Sequence, residues 1–219
     1  MGDPNGIGPE IILKTLLRSD LTDTIPVIYG RDDIFQETLS VLNDTRSLKV
    51  IDSALDARPG HINLVPCIDS SGSNLSVGSI SAEGGLASMK AVEAGIDACL
   101  SGEASALVTA PISKEAITLA GYDVPGHTEF LMEKTSSNQV LMMLVSDAFR
   151  VALATIHIPV REIAGTLTND LLTTRLSLLQ QSLRQDFGIS KPKIAVLGLN
   201  PHGGDGGVIG REEIELIQP

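Results

Sequence analysis

The chain has 219 residues, 42% apolar and only 3% aromatic, so it can bury a core built from leucine, isoleucine, valine and alanine. Its formal net charge of −11 argues against a nucleic-acid partner, because a phosphate backbone requires clustered lysine and arginine. The spacing of Cys67 and Cys99 fits neither a zinc ribbon nor a disulfide framework. With no membrane-length apolar run and no signal-peptide pattern, we expect a cytoplasmic protein without a membrane partner.

Short β-branched runs alternate with longer stretches of helical periodicity, which predicts an α/β fold with mixed, largely parallel sheets flanked by helices. The predicted strands are Ile25–Tyr29, Ile62–Val65, Ala106–Thr109, Val140–Val145, Val151–Thr155 and Ile194–Leu199. The predicted helices are Glu10–Leu17, Ile34–Leu42, Ala82–Ser101, Lys114–Ala120, Thr128–Lys134 and Asn169–Phe187. The last helix is the clearest, because its leucines recur at helical spacing and Gly188 then ends it.

Two connections refine this layout. Only Ser146–Arg150 separates Val140–Val145 from Val151–Thr155, and so short a connection favours an antiparallel hairpin. Asp69–Gly78, rich in serine, glycine and asparagine, is predicted as the longest irregular loop. A surface loop is favoured there over a hinge or a lid.

The opening turn, Gly2–Glu10, contains neither a P-loop nor a complete dinucleotide fingerprint. It is a tight turn that leads into a helix N-terminus, where backbone N–H groups favour an anion. Anion binding and a plain capped helix are equally compatible with this segment.

Three of the four histidines lie where an apolar run meets a glycine- or proline-marked turn: His127, His157 and His202. Strand ends in α/β proteins are where ligands bind, and imidazole is both a metal ligand and a proton carrier. A satisfied buried histidine is the alternative for His157. The four glycines that follow His202 favour a functional loop, because glycine lets the backbone approach a ligand closely.

Two helix starts carry further candidates. Thr128 is placed to cap the helix after His127, or to bind a phosphate or substrate hydroxyl together with that histidine. Lys114 lies at another predicted helix start, against the helix dipole, where it is either a phosphate or carboxylate contact or an exposed lysine.

Taken together, these segments resemble the 4-hydroxythreonine-4-phosphate dehydrogenase family of bacterial pyridoxal phosphate biosynthesis. The segments with that family's order and spacing are Gly2–Glu10, Thr109–Lys114, Gly126–Phe130, Val151–Pro159 and Leu199–Gly207. The motifs GHTEF, ATIHIP and LNPHGGDGG are specific at these separations. The opening GDPNGIGPE is also similar to the start of the isocitrate and isopropylmalate dehydrogenases, whose fold the family shares.

The resemblance implies the fold of the isocitrate and isopropylmalate dehydrogenases, with two subdomains around a cleft. It also implies a specific reaction. The reaction is the metal-dependent, NAD- or NADP-linked oxidation and decarboxylation of 4-phosphooxy-L-threonine to 3-amino-2-oxopropyl phosphate. The family's substrate-binding pair falls on His127 and Thr128, and two of its metal-binding histidines fall on His157 and His202. A divalent zinc, cobalt or magnesium ion would lower the pKa of the substrate hydroxyl and then polarise the ketone.

The resemblance also implies a homodimer whose interface completes the metal site. Family members have a strand before Gly2 and continue well beyond Pro219, where a third metal-binding histidine lies. We therefore expect residues 1–219 to cover the N-terminal two-thirds of the family fold, as one α/β unit with two intertwined subdomains. We expect this chain by itself to be inactive.

Two alternatives remain open at this point. A paralogous branch with the same histidine segments acts on D-threonate or D-erythronate 4-phosphate. An alternative of another class is a non-catalytic protein that keeps His127, Thr128 and the glycine-rich loops to bind a phosphate ligand.

Overall fold

The alternation of strands and helices is present in a computed structural model, which describes residues 1–18, 23–69 and 76–219. The chain divides into two compact units, Met1–Asn138 and Gln139–Pro219. The first contains a parallel sheet and the second an antiparallel hairpin, so the predicted mixed α/β class is confirmed. None of the described helices combines the length and the apolar character needed to cross a membrane.

The sheet of the first unit has three parallel strands in the order β1-β3-β2. They are β1 (Val27–Gly30), β2 (Leu48–Val50) and β3 (Ile62–Pro66). Leu64 on the central strand is paired with Ile28 on one side and Val50 on the other, and Leu64 is completely buried. This pairing places an aliphatic core beneath the carboxyl ends of the strands, where α/β proteins bind ligands.

The described residues of the first unit form five α-helices: α1 (Gly8–Arg18), α2 (Asp32–Val41), α3 (Ala82–Leu100), α4 (Lys114–Leu119) and α5 (His127–Lys134). A second core cluster lies where α3, α4 and α5 meet, and it includes Met89, Val92, Ile117 and Phe130. Gly85 permits the close approach of α3 and α4, because a β-carbon there would overlap the carbonyl oxygen of Ala116.

The second unit begins with the hairpin of β4 (Met143–Val145) and β5 (Arg150–Ala152), which confirms the predicted hairpin over shorter strands. A 3₁₀ turn (Val160–Glu162) and the short α6 (Ile163–Thr166) precede the long α7 (Asn169–Gln185). The Thr168 side chain caps α7 by accepting a hydrogen bond from the Leu171 N–H. A single π-helical turn, Glu213–Ile217, lies near the last described residue.

Two strand predictions were wrong for the described part of the chain. Ala106–Thr109 and Ile194–Leu199 are not paired as strands there. Each segment has a strongly exposed apolar side chain, with Val108 at 93% and Leu197 at 82%. An apolar run favours extended backbone, but a strand also needs a neighbour for its N–H and C=O groups, which a local pattern does not supply. Most of the predicted Asp69–Gly78 loop lies outside the described residues.

Candidate active site

The opening turn is fixed against the end of the 106–111 segment. The Asp3 N–H donates to the Pro111 carbonyl at 2.9 Å. Gly2 has φ +76°, and a β-carbon there would lie 2.6 Å from the Pro111 oxygen. Both the left-handed backbone and the lack of space therefore require glycine at this position. The predicted tight turn into α1 is confirmed, and its affinity for an anion stays a prediction.

Asn5 ties this turn to the start of α3, a role that sequence reasoning missed. Its side chain is 3% exposed, and its Nδ2 donates to Ser81 Oγ at 3.1 Å. Its Oδ1 accepts the Ser76 N–H at 2.9 Å, and its carbonyl accepts the Gly78 N–H at 2.8 Å. Ser81 in turn caps α3. The partners of the Asn5 side chain lie 71 and 76 residues away, beyond the range of any local pattern.

The predicted helix after Thr109–Lys114 is present as α4. Ser113 is its N-cap, with the side-chain oxygen accepting the Ala116 N–H at 3.2 Å. Lys114 is the first helical residue and is exposed. Its placement at the helix start is confirmed, and a phosphate or carboxylate contact there stays a prediction.

The cap of α5 differs from the prediction. Gly126, in extended backbone, is the N-cap residue, and His127 and Thr128 are the first two helical residues. The expectation that Thr128 caps this helix was therefore wrong. A cap side chain must belong to the residue just outside the helix, and the helix begins one residue earlier than the sequence pattern indicated. The Thr128 hydroxyl is thus not used in capping.

His127 has a ring nitrogen without a hydrogen-bond partner. Its Nε2 is buried and forms no hydrogen bond with any described residue. Burial lowers the pKa of His127, since desolvation disfavours the imidazolium form. Buried polar atoms are nearly always paired in native proteins, so this nitrogen is suited to a ligand oxygen. Together with Thr128 it forms a polar pair at the start of α5.

The helix that carries this pair is firmly attached to α3. Phe130 is buried and packs edge to face against Tyr122, with ring centroids 6.0 Å apart. Lys134 forms an ion pair with Glu93 of α3, and Lys134 also lies over the Phe130 ring. A buried aromatic anchor and an ion pair on successive turns fix the orientation of the first turn, where His127 lies.

His157 and His202 lie in the second unit, both exposed and both in left-handed backbone. Their φ values are 55° and 53°. This conformation costs ~1–2 kcal/mol for a residue with a β-carbon, and such strain concentrates at functional sites. Neither imidazole is hydrogen-bonded to another described residue, so both rings are free to bind a ligand.

His202 begins an unusual run of backbone. Every residue from His202 to Gly207 has a positive φ, and His202 and Asp205 are the members of this run that are not glycine. Asn200, two residues before His202, forms two hydrogen bonds with the Glu213 carboxylate. The Asn200 N–H donates to Glu213 Oε1 at 2.7 Å, and Asn200 Nδ2 donates to Glu213 Oε2 at 2.9 Å. Sequence reasoning missed this contact.

The donor set bears on a metal ion. Imidazole ligands suit zinc or cobalt, whereas magnesium prefers oxygen ligands. Within residues 1–18, 23–69 and 76–219, no group of three or more histidine, cysteine, aspartate or glutamate side chains is placed to enclose an ion. Two imidazoles are too few for a tight site, so the assignment of His157 and His202 to one ion stays a prediction.

Comparison with known proteins extends these observations. A family model for the pyridoxal phosphate biosynthetic protein PdxA matches residues 22–219. The 4-hydroxythreonine-4-phosphate dehydrogenase of Bacteroides thetaiotaomicron is 40% identical over 220 residues, which cover all of this chain and 60% of that protein. The D-threonate 4-phosphate dehydrogenase of Pectobacterium atrosepticum is 36% identical over 222 residues, which cover all of this chain and 68% of that protein.

The fold is shared as well. The crystal structure of a 4-hydroxythreonine-4-phosphate dehydrogenase from Klebsiella pneumoniae aligns with a TM-score of 0.92 at 34% identity. The alignment covers 100% of this chain and 67% of that chain. The match confirms both the α/β fold and the resemblance first carried by the histidine motifs, so the chain belongs to the family of the pyridoxal phosphate biosynthetic protein PdxA.

Proposed function

We propose that this protein catalyses the NAD- or NADP-linked oxidation and decarboxylation of 4-phosphooxy-L-threonine to 3-amino-2-oxopropyl phosphate in pyridoxal 5'-phosphate biosynthesis. The family match over residues 22–219 carries this proposal. The name of the relative that is 40% identical supports the same reaction.

In this proposal His127 and Thr128 bind the phosphorylated hydroxy acid. The buried, unpartnered Nε2 of His127 supports this role, because a substrate oxygen would complete its hydrogen bonding. Burial lowers the pKa of His127 and so favours the neutral imidazole, in which one nitrogen donates and the other accepts. The Thr128 hydroxyl, which is not used in capping, supplies a second polar group one residue further along α5.

His157 and His202 hold the divalent ion, which is zinc, cobalt or magnesium. When bound, such an ion lowers the pKa of a substrate hydroxyl and polarises a ketone, as dehydrogenation followed by decarboxylation requires. The exposed rings in left-handed backbone support this assignment, because such strain concentrates at functional sites and no described residue forms a hydrogen bond with either imidazole. The protein acts in the cytoplasm as a homodimer, and the partner subunit completes the metal site.

A second candidate substrate class is D-threonate or D-erythronate 4-phosphate. The relative from Pectobacterium atrosepticum, at 36% identity, favours keeping this candidate. These sugar-acid phosphates carry a hydroxyl where 4-phosphooxy-L-threonine carries an amino group. The two classes therefore differ in one polar contact, and a site built around that contact discriminates strongly between them.

The test is a parallel assay of the protein isolated from its native source. It is offered each phosphate with NAD⁺ or NADP⁺ and with Zn²⁺, Co²⁺ or Mg²⁺. We expect reduced nicotinamide and carbon dioxide from 4-phosphooxy-L-threonine. Turnover of the sugar-acid phosphates alone would transfer the proposal to the second candidate. Saturable binding of 4-phosphooxy-L-threonine without turnover of any substrate would instead favour a non-catalytic binding protein.

A matched pair of variants tests the metal ligand. His202→Ala removes a proposed ligand, and we expect its metal affinity to fall by more than about 100-fold, with loss of turnover, because losing even a residue that only orients a ligand costs about 10- to 100-fold. His61→Ala removes an exposed histidine whose Nδ1 lies 3.0 Å from the Pro59 carbonyl, and it should keep the parent's metal affinity. Equal metal affinity in both variants would remove His202 from the site.

A further inference from the structure

The loop that carries His202 is closed by a small set of contacts within the second unit. The Gly203 N–H donates to the Asn200 carbonyl at 3.1 Å, and the Ile209 N–H donates to the Gly204 carbonyl at 3.1 Å. These hydrogen bonds close the left-handed run His202–Gly207 but do not attach its start to a neighbouring element. The contact that attaches it is made by Glu213.

Asn200 and Glu213 form what we term the Asn200–Glu213 clasp. Glu213 Oε1 accepts the Asn200 backbone N–H, and Oε2 accepts the Asn200 side-chain Nδ2, at 2.7 and 2.9 Å. Glu212 Oε2 accepts from the same Nδ2 at 2.7 Å. Because one carboxylate binds both the main chain and the side chain of Asn200, it restricts the backbone two residues before His202.

The carboxylate of Glu213 is enclosed by glycine backbone. Glu213 is 5% exposed, and a β-carbon at Gly204 would lie 3.0 Å from its Oε2. A β-carbon at Gly198 would lie 3.2 Å from its Oε1, and one at Gly210 would overlap the Asn200 amide. The glycines thus allow the loop to fold directly onto the clasp.

Glu213 forms no ion pair with a lysine or arginine of the described ranges. A carboxylate that is buried without a cation is unfavourable unless hydrogen bonds satisfy it. The hydrogen bonds from Asn200 lower the pKa of Glu213, which keeps the carboxylate in its charged, accepting form. If Glu213 only filled space, an uncharged side chain would serve at this position. A positioning role explains why a carboxylate is present.

We propose that Glu213 is a positioning residue that, through Asn200, holds the His202 loop in its left-handed conformation and so presents the imidazole to a divalent ion. The inference rests on the proposed role of His202 as a metal ligand. Histidine disfavours left-handed backbone, so a released loop populates other conformations. The apparent dissociation constant for the ion then rises by the inverse of the fraction that stays competent.

The test titrates each variant with Co²⁺ and follows the visible absorption of the bound ion. Glu213→Gln places an amide donor against the Asn200 amide donor, and we expect the dissociation constant to rise about tenfold or more. The Asn200→Asp/Glu212→Gln/Glu213→Gln triple variant reverses the polarity of both side-chain hydrogen bonds of residue 200, leaves no carboxylate against its aspartate, and should recover most of the loss. Glu215→Gln, an exposed change on the same turn that affects only the pair with Arg211, should leave cobalt binding unchanged.

Amide hydrogen exchange at Gly203, Gly204 and Gly206 provides the readout that is independent of metal. Faster exchange in Glu213→Gln, with the parent's rate restored in the triple variant, would support the clasp even if the parent binds no cobalt. Absence of cobalt binding by the parent would reject only the metal proposal. Unchanged exchange and unchanged cobalt affinity in a folded Glu213→Gln protein would overturn the clasp. If Glu213→Gln does not fold, the triple variant must fold and show the parent's exchange rates and cobalt affinity, and failure of the triple variant would equally overturn the clasp.

Discussion

His127 occupies a position where burial opposes the hydrogen bonding of a ring nitrogen, which the proposed substrate contact would complete. A buried nitrogen without a partner is unfavourable by about 1–3 kcal/mol, and most proteins avoid it. The rest of α5 offsets this loss through Phe130 and the Lys134–Glu93 pair. A site that keeps such an atom ready for a ligand gives up some stability in the free protein and recovers it on binding.

The ionisation of His127 should make stability depend on pH. Burial lowers its folded pKa below the ordinary value near ~6.5, so the neutral form is favoured by folding. The resulting stability is present above the ordinary pKa and is lost as the pH falls through the folded pKa. We expect the free energy of unfolding, measured by urea denaturation, to fall on acidification below about pH 6.5. His127→Gln should show a smaller fall, whereas Thr128→Val should keep the parent slope.

Arg31 is a second residue at which charge and burial meet. It is 1% exposed at the end of β1, and its guanidinium bonds Asp33 at 3.0 Å and Glu83 at 3.3 Å. It thereby joins the first turns of α2 and α3. The hydrogen bond from Arg31 lowers the pKa of Asp33. The two carboxylates are half-exposed and can be rehydrated, but the guanidinium cannot.

This asymmetry predicts which partner is more costly to remove. Asp33→Ala/Glu83→Ala leaves a buried cation unpaired, and we expect a loss of about 3–5 kcal/mol in the free energy of unfolding. Arg31→Met fills the same space with an apolar chain and should cost less. The measurement is urea denaturation of both proteins. An equal or larger loss in Arg31→Met would show that the packing of the arginine, rather than its charge balance, matters here.

Among the elements, α3 depends most on tertiary contact. Gly85→Ala would force α3 away from α4, because the new methyl group overlaps backbone rather than a movable side chain. We expect a loss of about 1–3 kcal/mol, measured by thermal unfolding. Gly165→Ala is the matched control in α6, where nothing lies within 4 Å. It should be neutral or stabilising by up to about 1 kcal/mol, because alanine favours helix. Equal losses of stability in Gly85→Ala and Gly165→Ala would contradict the requirement for close packing of α3 against α4.

The elements also show where sequence patterns succeed. α7, α3 and the hairpin were predictable, because helical spacing, capping residues and a short turn depend only on neighbours in the chain. Ala106–Thr109 and Ile194–Leu199 have an equally apolar pattern and yet remain unpaired in the described structure. The difference is physical, since each turn of a helix satisfies its own backbone and a strand does not.

Across the whole molecule, the buried apolar residues are unevenly distributed. Both core clusters lie in Met1–Asn138. Among the described residues of the second unit, only Leu167 and Leu183 are buried apolar side chains. Since apolar burial is the main term that offsets chain entropy, the first unit should be the more stable by itself.

This distribution leads to a prediction for the two units expressed separately. Met1–Asn138 should unfold cooperatively in urea, whereas Gln139–Pro219 should show a broad, non-cooperative transition. Circular dichroism with a urea series measures both. A sharp transition in Gln139–Pro219 alone would show that its few buried leucines and its loop contacts are sufficient for independent folding.

The sequence by itself determined the α/β class, most helices, the family and the candidate histidines. Each of these depends on residue types and spacings along the chain. Only the tertiary structure decided that Gly126 rather than Thr128 caps α5, that Asn5 binds Ser81, and that Glu213 holds Asn200. Those contacts depend on which distant segments meet, and the left-handed backbone of His202 is maintained by such contacts rather than by its own preference.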